Sequence, residues 1–145
     1  MRDVVLDSSV VAAWALPDEH LHPRALRVID RLDAGELEPF VAAPFRFEVR
    51  HALVRAAHAG RLAWPTVPGW FAAIDKLGST LIEAPDDEAV VLDIATRLGL
   101  AWGDAHWVDV AMRLDLPLVT ADLRLARAVP DEVAIVVSLG DDEAA

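Results

Sequence analysis

The chain has 145 residues, 54% of them apolar, enough for one domain whose core covers a sheet on both faces. Thirteen basic against 24 acidic residues give a net charge of −11, which excludes a protein that holds nucleic acid through a generally basic surface. There is no cysteine, which excludes disulfides, thiolate chemistry and Cys-ligated zinc; every basic residue except Lys76 is arginine, which favours forked contacts to carboxylate or phosphate.

Asp3-Val4-Val5-Leu6-Asp7-Ser8-Ser9 reads as a buried parallel strand that delivers Asp7 to the carboxyl edge of a sheet, where ligands of open α/β sheets bind. The chain enters this strand without the segments of a signal peptide. No run reaches transmembrane length, so the expectation is a soluble, unprocessed, cytoplasmic protein. Ser9 is expected to cap a short helix through Val10, Val11 and Trp14 that stops before Pro17. From Pro23 an amphipathic helix with Arg24, Arg27 and Arg31 on one ridge runs to Gly35, and Pro39 to Ala43 reads as a second strand.

Pro44 to Ala59 is predicted helical, with Gly60 just beyond it. Its apolar stripe, Phe45, Val49, Ala52, Leu53 and Ala56, also carries Glu48, and a carboxylate pointing inward needs a partner. Trp64 to Leu77 is predicted to be a helix forming a hairpin with it. Thr80 to Ala84 reads as a strand, and Asp86 to Leu98 as a helix with acids in its first turn and Gly99 as terminator. Gly103 to Leu114 is again helical, with Asp104 opening an inward stripe of Trp107, Val108, Ala111 and Leu114. Asp109 with Arg113 reads as an exposed ion pair and His106 as an exposed side chain. Pro117 to Thr120 is a short buried strand ending in Asp122, which repeats the strand-then-acid arrangement of Asp7. A last strand, Val133 to Val137, precedes an acidic tail, 140–145, expected to be disordered. The alternation of strands and helices predicts a three-layer α/β/α sandwich around a mainly parallel, Rossmann-like sheet in a single domain, 1–139.

Asp7 and Asp122 then end strands at one edge, and Glu48 and Asp104 sit in first turns that point into the same crevice. Four acids in one crevice repel one another and call for a hard divalent cation, Mg²⁺ or Mn²⁺. Such an ion can assist in-line attack on a phosphodiester, with Ser9 and Thr120 as hydroxyls orienting the carboxylates.

The order of Asp7 and Ser9 after the first strand, Phe45-Arg46-Phe47-Glu48-Val49, Gly103-Asp104-Ala105-His106-Trp107, and Thr120-Ala121-Asp122 resembles the PIN-domain family, and within it VapC-type toxins. The resemblance implies a Mg²⁺-dependent endoribonuclease with Asp7, Glu48, Asp104 and Asp122 as its acidic quartet. It also implies a homodimer, and an antitoxin whose C-terminal segment covers the site. Where relatives often read Tyr-Asp-Ala-x-Tyr around the third acid, this chain has Gly103 and Trp107. Where an Asn often follows the helix Glu by three, it has His51. Arg46, Arg50, His51 and Trp102 are the candidates for contact with RNA, and Trp14 for lining an antitoxin groove. A non-catalytic PIN-fold module that binds a protein or RNA is the alternative, and all four acids being present favours the enzyme.

Overall fold

A computed structural model describes residues 2–141. The elements, in chain order, are β1 (Arg2–Leu6), α1 (Ser8–Ala15), α2 (His22–Asp33), β2 (Leu37–Ala42), α3 (Phe45–His58), α4 (Val67–Asp75), β3 (Thr80–Ile82), α5 (Ala89–Leu98), α6 (Trp102–Leu114), β4 (Leu118–Thr120), α7 (Leu123–Ala128) and β5 (Val136–Ser138), with a 3₁₀ turn at Trp64–Thr66 before α4. The five strands form one sheet in the order β3-β2-β1-β4-β5, every neighbouring pair parallel. Val4, Val5 and Leu6 alternate between the faces of β1 and are all fully buried, so helices cover the sheet on both sides. Helix α6 packs on β1, β2 and β4, with α5 beside it, while α2 contacts β2 and α1 contacts β4. Strand order reverses at β1, and the crevice between the ends of β1 and β4 is the topological switch point where such sheets bind ligands.

Pro39 sits inside β2 without breaking the sheet. β3 pairs only from Phe40 onward, so Pro39, opposite Val4 of β1, lies where β2 is locally an edge strand and its missing N–H removes no bond. Gly35, Gly60 and Gly99 all adopt positive φ just beyond helices, as their positions in the sequence predict.

Several expectations are corrected. The residue before α1 is Asp7, and Ser9 lies inside the helix with its hydroxyl on Asp7, so it is no N-cap. The acids Asp86 to Glu88 precede α5 instead of filling its first turn, and Asp87 accepts a hydrogen bond from the Ala89 amide at 2.9 Å. Helix α7, only six residues long, is absent from the sequence reading, because so short a segment shows less than two turns of periodicity. The final strand is shorter and later than expected, at Val136–Ser138. Of the acidic tail, Gly140 and Asp141 are described, and Arg24 donates to the Asp141 carbonyl at 2.9 Å; residues 142–145 lie outside the described residues. Among the described residues no helix is long and apolar enough to cross a membrane.

His106 and Asp109, expected on the surface, are both buried. α5 packs over this side of α6, which leaves no solvent-facing flank there. Asp109 is 1% exposed and accepts an ion pair from Arg113 at 2.7 Å, and Arg113 also donates to the Glu83 carbonyl. Arg113→Ala would strand a buried carboxylate, at an expected cost of about 2 kcal/mol given the half-exposed arginine. The check is a lower urea midpoint at unchanged m value.

Candidate metal-binding active site

Asp7 follows the last residue of β1, and its amide continues the ladder to β4 by donating to the Val119 carbonyl at 3.0 Å. The carboxylate is buried. Its Oδ2 accepts from the Ser9 hydroxyl at 2.5 Å and the Thr120 hydroxyl at 2.7 Å. Each hydroxyl owns one proton and spends it on Asp7. Ser9 Oγ in turn accepts from the Ala121 amide and Thr120 Oγ1 from the Asp122 amide, both at 3.0 Å. Two side chains thus stitch the end of β1 to the end of β4. Desolvation by burial, opposed by these hydroxyls and reinforced by the charges of Glu48 and Asp104, raises the Asp7 carboxyl from 3.8 to about 6.

Glu48, in the first turn of α3, points toward the sheet edge as its place on the apolar stripe requires. Its Oε1 accepts from the indole N–H of Trp107 at 2.7 Å and from the Ser8 hydroxyl at 3.2 Å. Trp107 is fully buried, set edge-on to Phe45 with centroids 6.1 Å apart. Glu48 Oε2 lies against Gly103, where any Cβ would stand 2.9 Å away. The two departures from the family pattern around the third acid therefore serve one purpose. Trp107 supplies the donor that holds Glu48, and Gly103 leaves the space that its carboxylate occupies.

Helix α6 follows a helix instead of a strand, and its start reaches the crevice because its end must lead into β4. Asp104 in its first turn makes no hydrogen bond or ion pair among the described residues. Burial and then the charges of Asp122 and Glu48 raise its carboxyl above the ordinary value, with Arg124 opposing. Asp122 caps α7, its Oδ1 accepting from the Arg124 and Leu125 amides at 2.9 and 3.2 Å. The four acids thus form one coupled set, with Asp104 acting on or feeling each of the others.

The donors suit a hard divalent cation. All are carboxylate oxygens, and Asp7 Oδ1, Glu48 Oε2, Asp122 Oδ2 and both oxygens of Asp104 receive no hydrogen bond among the described residues. As the side chains are placed, no three acids or histidines among the described residues stand close enough to grip one ion. Glu48 is turned to Trp107 and Asp122 to the α7 amides, which accounts for the spread.

The family model of the PIN domain matches residues 4–129, from β1 through α7, and so spans all four acids. The chain belongs to the PIN domain family. PIN domains are generally nucleases that use divalent metal ions. This PIN domain shares its fold with PAE2754 from Pyrobaculum aerophilum, at 24% identity and TM-score 0.70 over 94% of this chain and 84% of that one. VapBC2 from Rickettsia felis, solved bound to a DNA fragment from their promoter, aligns at 10% identity and TM-score 0.63, covering 94% of this chain and 98% of that one. FitAcB from Neisseria gonorrhoeae aligns at 16% identity and TM-score 0.55 with the same coverage, 94% and 98%. No curated protein matches this PIN domain.

The candidates for RNA contact scatter. His51 lines the cleft beside Glu48 and Asp122. Arg46 and Arg50 turn the other way along α3 and pair with Asp75, at 3.4 and 3.2 Å, with Arg50 also over the Phe71 ring. Trp102 is 44% exposed, edge-on to His106 at 5.0 Å. Trp14 packs edge-on against Trp70 at 5.1 Å and lines no part of the cleft. Sequence reasoning missed Ser8 and the Trp107 N–H as the partners of Glu48. The signal was present, since a buried indole donor and an inward carboxylate each need a partner.

Proposed function

We propose that this PIN domain is a metal-dependent endoribonuclease, with Mg²⁺ or Mn²⁺ as its ion, that acts as the toxin of a toxin–antitoxin pair. The observation that carries the reading is the coupled set of Asp7, Glu48, Asp104 and Asp122 at the switch point, each keeping an open oxygen. When bound, a divalent cation supplies the positive charge that offsets a phosphodiester during in-line attack by water. The chain's own part is to hold the ligands. Ser9 and Thr120 fix the orientation of Asp7, Trp107 and Ser8 fix Glu48, and the α7 amides fix Asp122.

The resemblance to VapC-type toxins implies a cytoplasmic homodimer, and the fold shared with VapBC2 and FitAcB supports a cognate antitoxin as the partner that holds it inactive. Co-expression with the product of the neighbouring reading frame is expected to give a complex and relieve growth arrest.

Titration of EDTA-stripped protein with Mg²⁺ and Mn²⁺ tests the metal directly. At an ion concentration about 100 times Kd the fold is expected to gain about 2.7 kcal/mol, seen as a raised Tm, and total RNA is expected to be cut only with metal present. Binding of neither ion at millimolar concentration would replace this reading with the non-catalytic module.

A further inference from the structure

Helix α3 carries Phe47, His51 and Arg55 at steps of four residues, so the three form one stripe along it. All three line a cleft of about 710 Å³ that also reaches Glu48 and Asp122. Phe47 is 72% exposed, the most exposed of the large apolar side chains among the described residues, whereas the aromatics Phe45 and Trp107 are buried in the core. The His51 ring lies behind it, 12° from parallel with centroids 5.8 Å apart. Arg55 makes no ion pair or hydrogen bond among the described residues, whereas Arg46, Arg50, Arg61 and Arg113 are each held by an acid. In a chain of net charge −11, an arginine facing a cleft and left without an acid is available to an anion.

We propose that this stripe is a binding track for single-stranded RNA, in which an unpaired base stacks on Phe47, braced by His51, and a neighbouring phosphate is gripped by the Arg55 guanidinium. The inference rests on the nuclease reading of the cleft and adds what presents the strand to it. An aromatic face accepts any unpaired base, and a forked cation matches phosphate oxygens. Phe47 and Arg55 lie about 12 Å apart along the helix axis, so the track spans more than a single contact. A base held in a duplex offers no free face, so the track selects single strands.

The test is fluorescence anisotropy with a labelled 12-nucleotide RNA of mixed sequence, alone and annealed to its complement, on an Asp7→Asn background that does not cut. Phe47→Ala is expected to weaken single-strand binding about tenfold, and Phe47→Trp to restore or tighten it. Arg55→Ala is expected to weaken binding and to lower the salt slope by about one. Duplex binding should not respond to Phe47→Ala. Both side chains are exposed, so circular dichroism should be unchanged. Binding indifferent to both alanine substitutions would overturn the track and leave Phe47 to a protein contact, and so would absence of measurable RNA binding. Cleavage of the same RNA by protein with Asp7 intact reports on the nuclease reading separately. Cutting that persists with binding indifferent to Phe47 and Arg55 removes only the track; Phe47-dependent binding in a chain that cuts nothing keeps the track and removes the nuclease.

Discussion

Asp7→Asn is expected to abolish metal-dependent RNA cleavage and growth arrest while making the metal-free chain more stable at neutral pH. The two effects have one source, a buried carboxylate whose charge the proposed cation needs and whose burial disfavours that charge. Loss of an ion's charge stabilisation is worth several kcal/mol, so a drop of about a thousandfold or more in rate is expected. The stability effect follows from proton linkage. Between the ordinary value of 3.8 and the folded value of about 6 the native chain keeps a proton that the unfolded chain releases. Stability therefore falls as pH rises through this window, and the deficit is fully present at pH 7, at about 3 kcal/mol for a group this buried. An amide at position 7 carries no charge to desolvate, and it still accepts through one oxygen from Ser9 and Thr120. Urea midpoints of EDTA-stripped protein from pH 4 to 7 should decline in the parent and be flatter in the variant. Equal cleavage by the variant, or full activity in excess EDTA, would sink the mechanism; identical pH profiles would sink the assignment of Asp7.

Trp107→Phe and Gly103→Ala are expected to weaken metal binding by about 10- to 100-fold each, although neither residue touches the ion. The first removes the 2.7 Å donor to Glu48 Oε1 but keeps an aromatic ring against Phe45. The second drives a methyl to 2.9 Å from Glu48 Oε2, so the carboxylate must move. Both act through Glu48, so the double variant should lose much less than the product of the two single losses. Calorimetric titration with Mn²⁺ reads the affinity, with Glu48→Gln as the reference. Unchanged affinity in both single variants would mean that the placement of Glu48 does not matter to the ion. Trp107→Ala is a poorer probe, since emptying a fully buried indole site costs about 3–5 kcal/mol on its own.

Strand β1, helices α3 and α6, and the two strand-end acids could be read from the chain because their signals are local. An apolar run closed by Asp7 is a buried strand in any context, and Glu48 on the stripe of Val49 and Leu53 faces inward by periodicity alone. The burial of His106 and Asp109 escapes a local reading for the same reason. Periodicity within α6 says which side faces the sheet, but not that α5 covers the flank. The RNA candidates divide likewise, since composition flags arginines near Glu48 but cannot say that Asp75 holds two of them and leaves Arg55 to the cleft.

The sequence by itself determined an α/β chain with a parallel sheet and four carboxylates on a common edge, because strand and helix periods report burial residue by residue. Which atoms share partners was decided only by the tertiary structure. Thr120 donates to Asp7 across 113 positions and Trp107 to Glu48 across 59. Nothing in either local segment encodes those contacts, which exist because the order β3-β2-β1-β4-β5 sets β1 beside β4 and brings the start of α6 against α3.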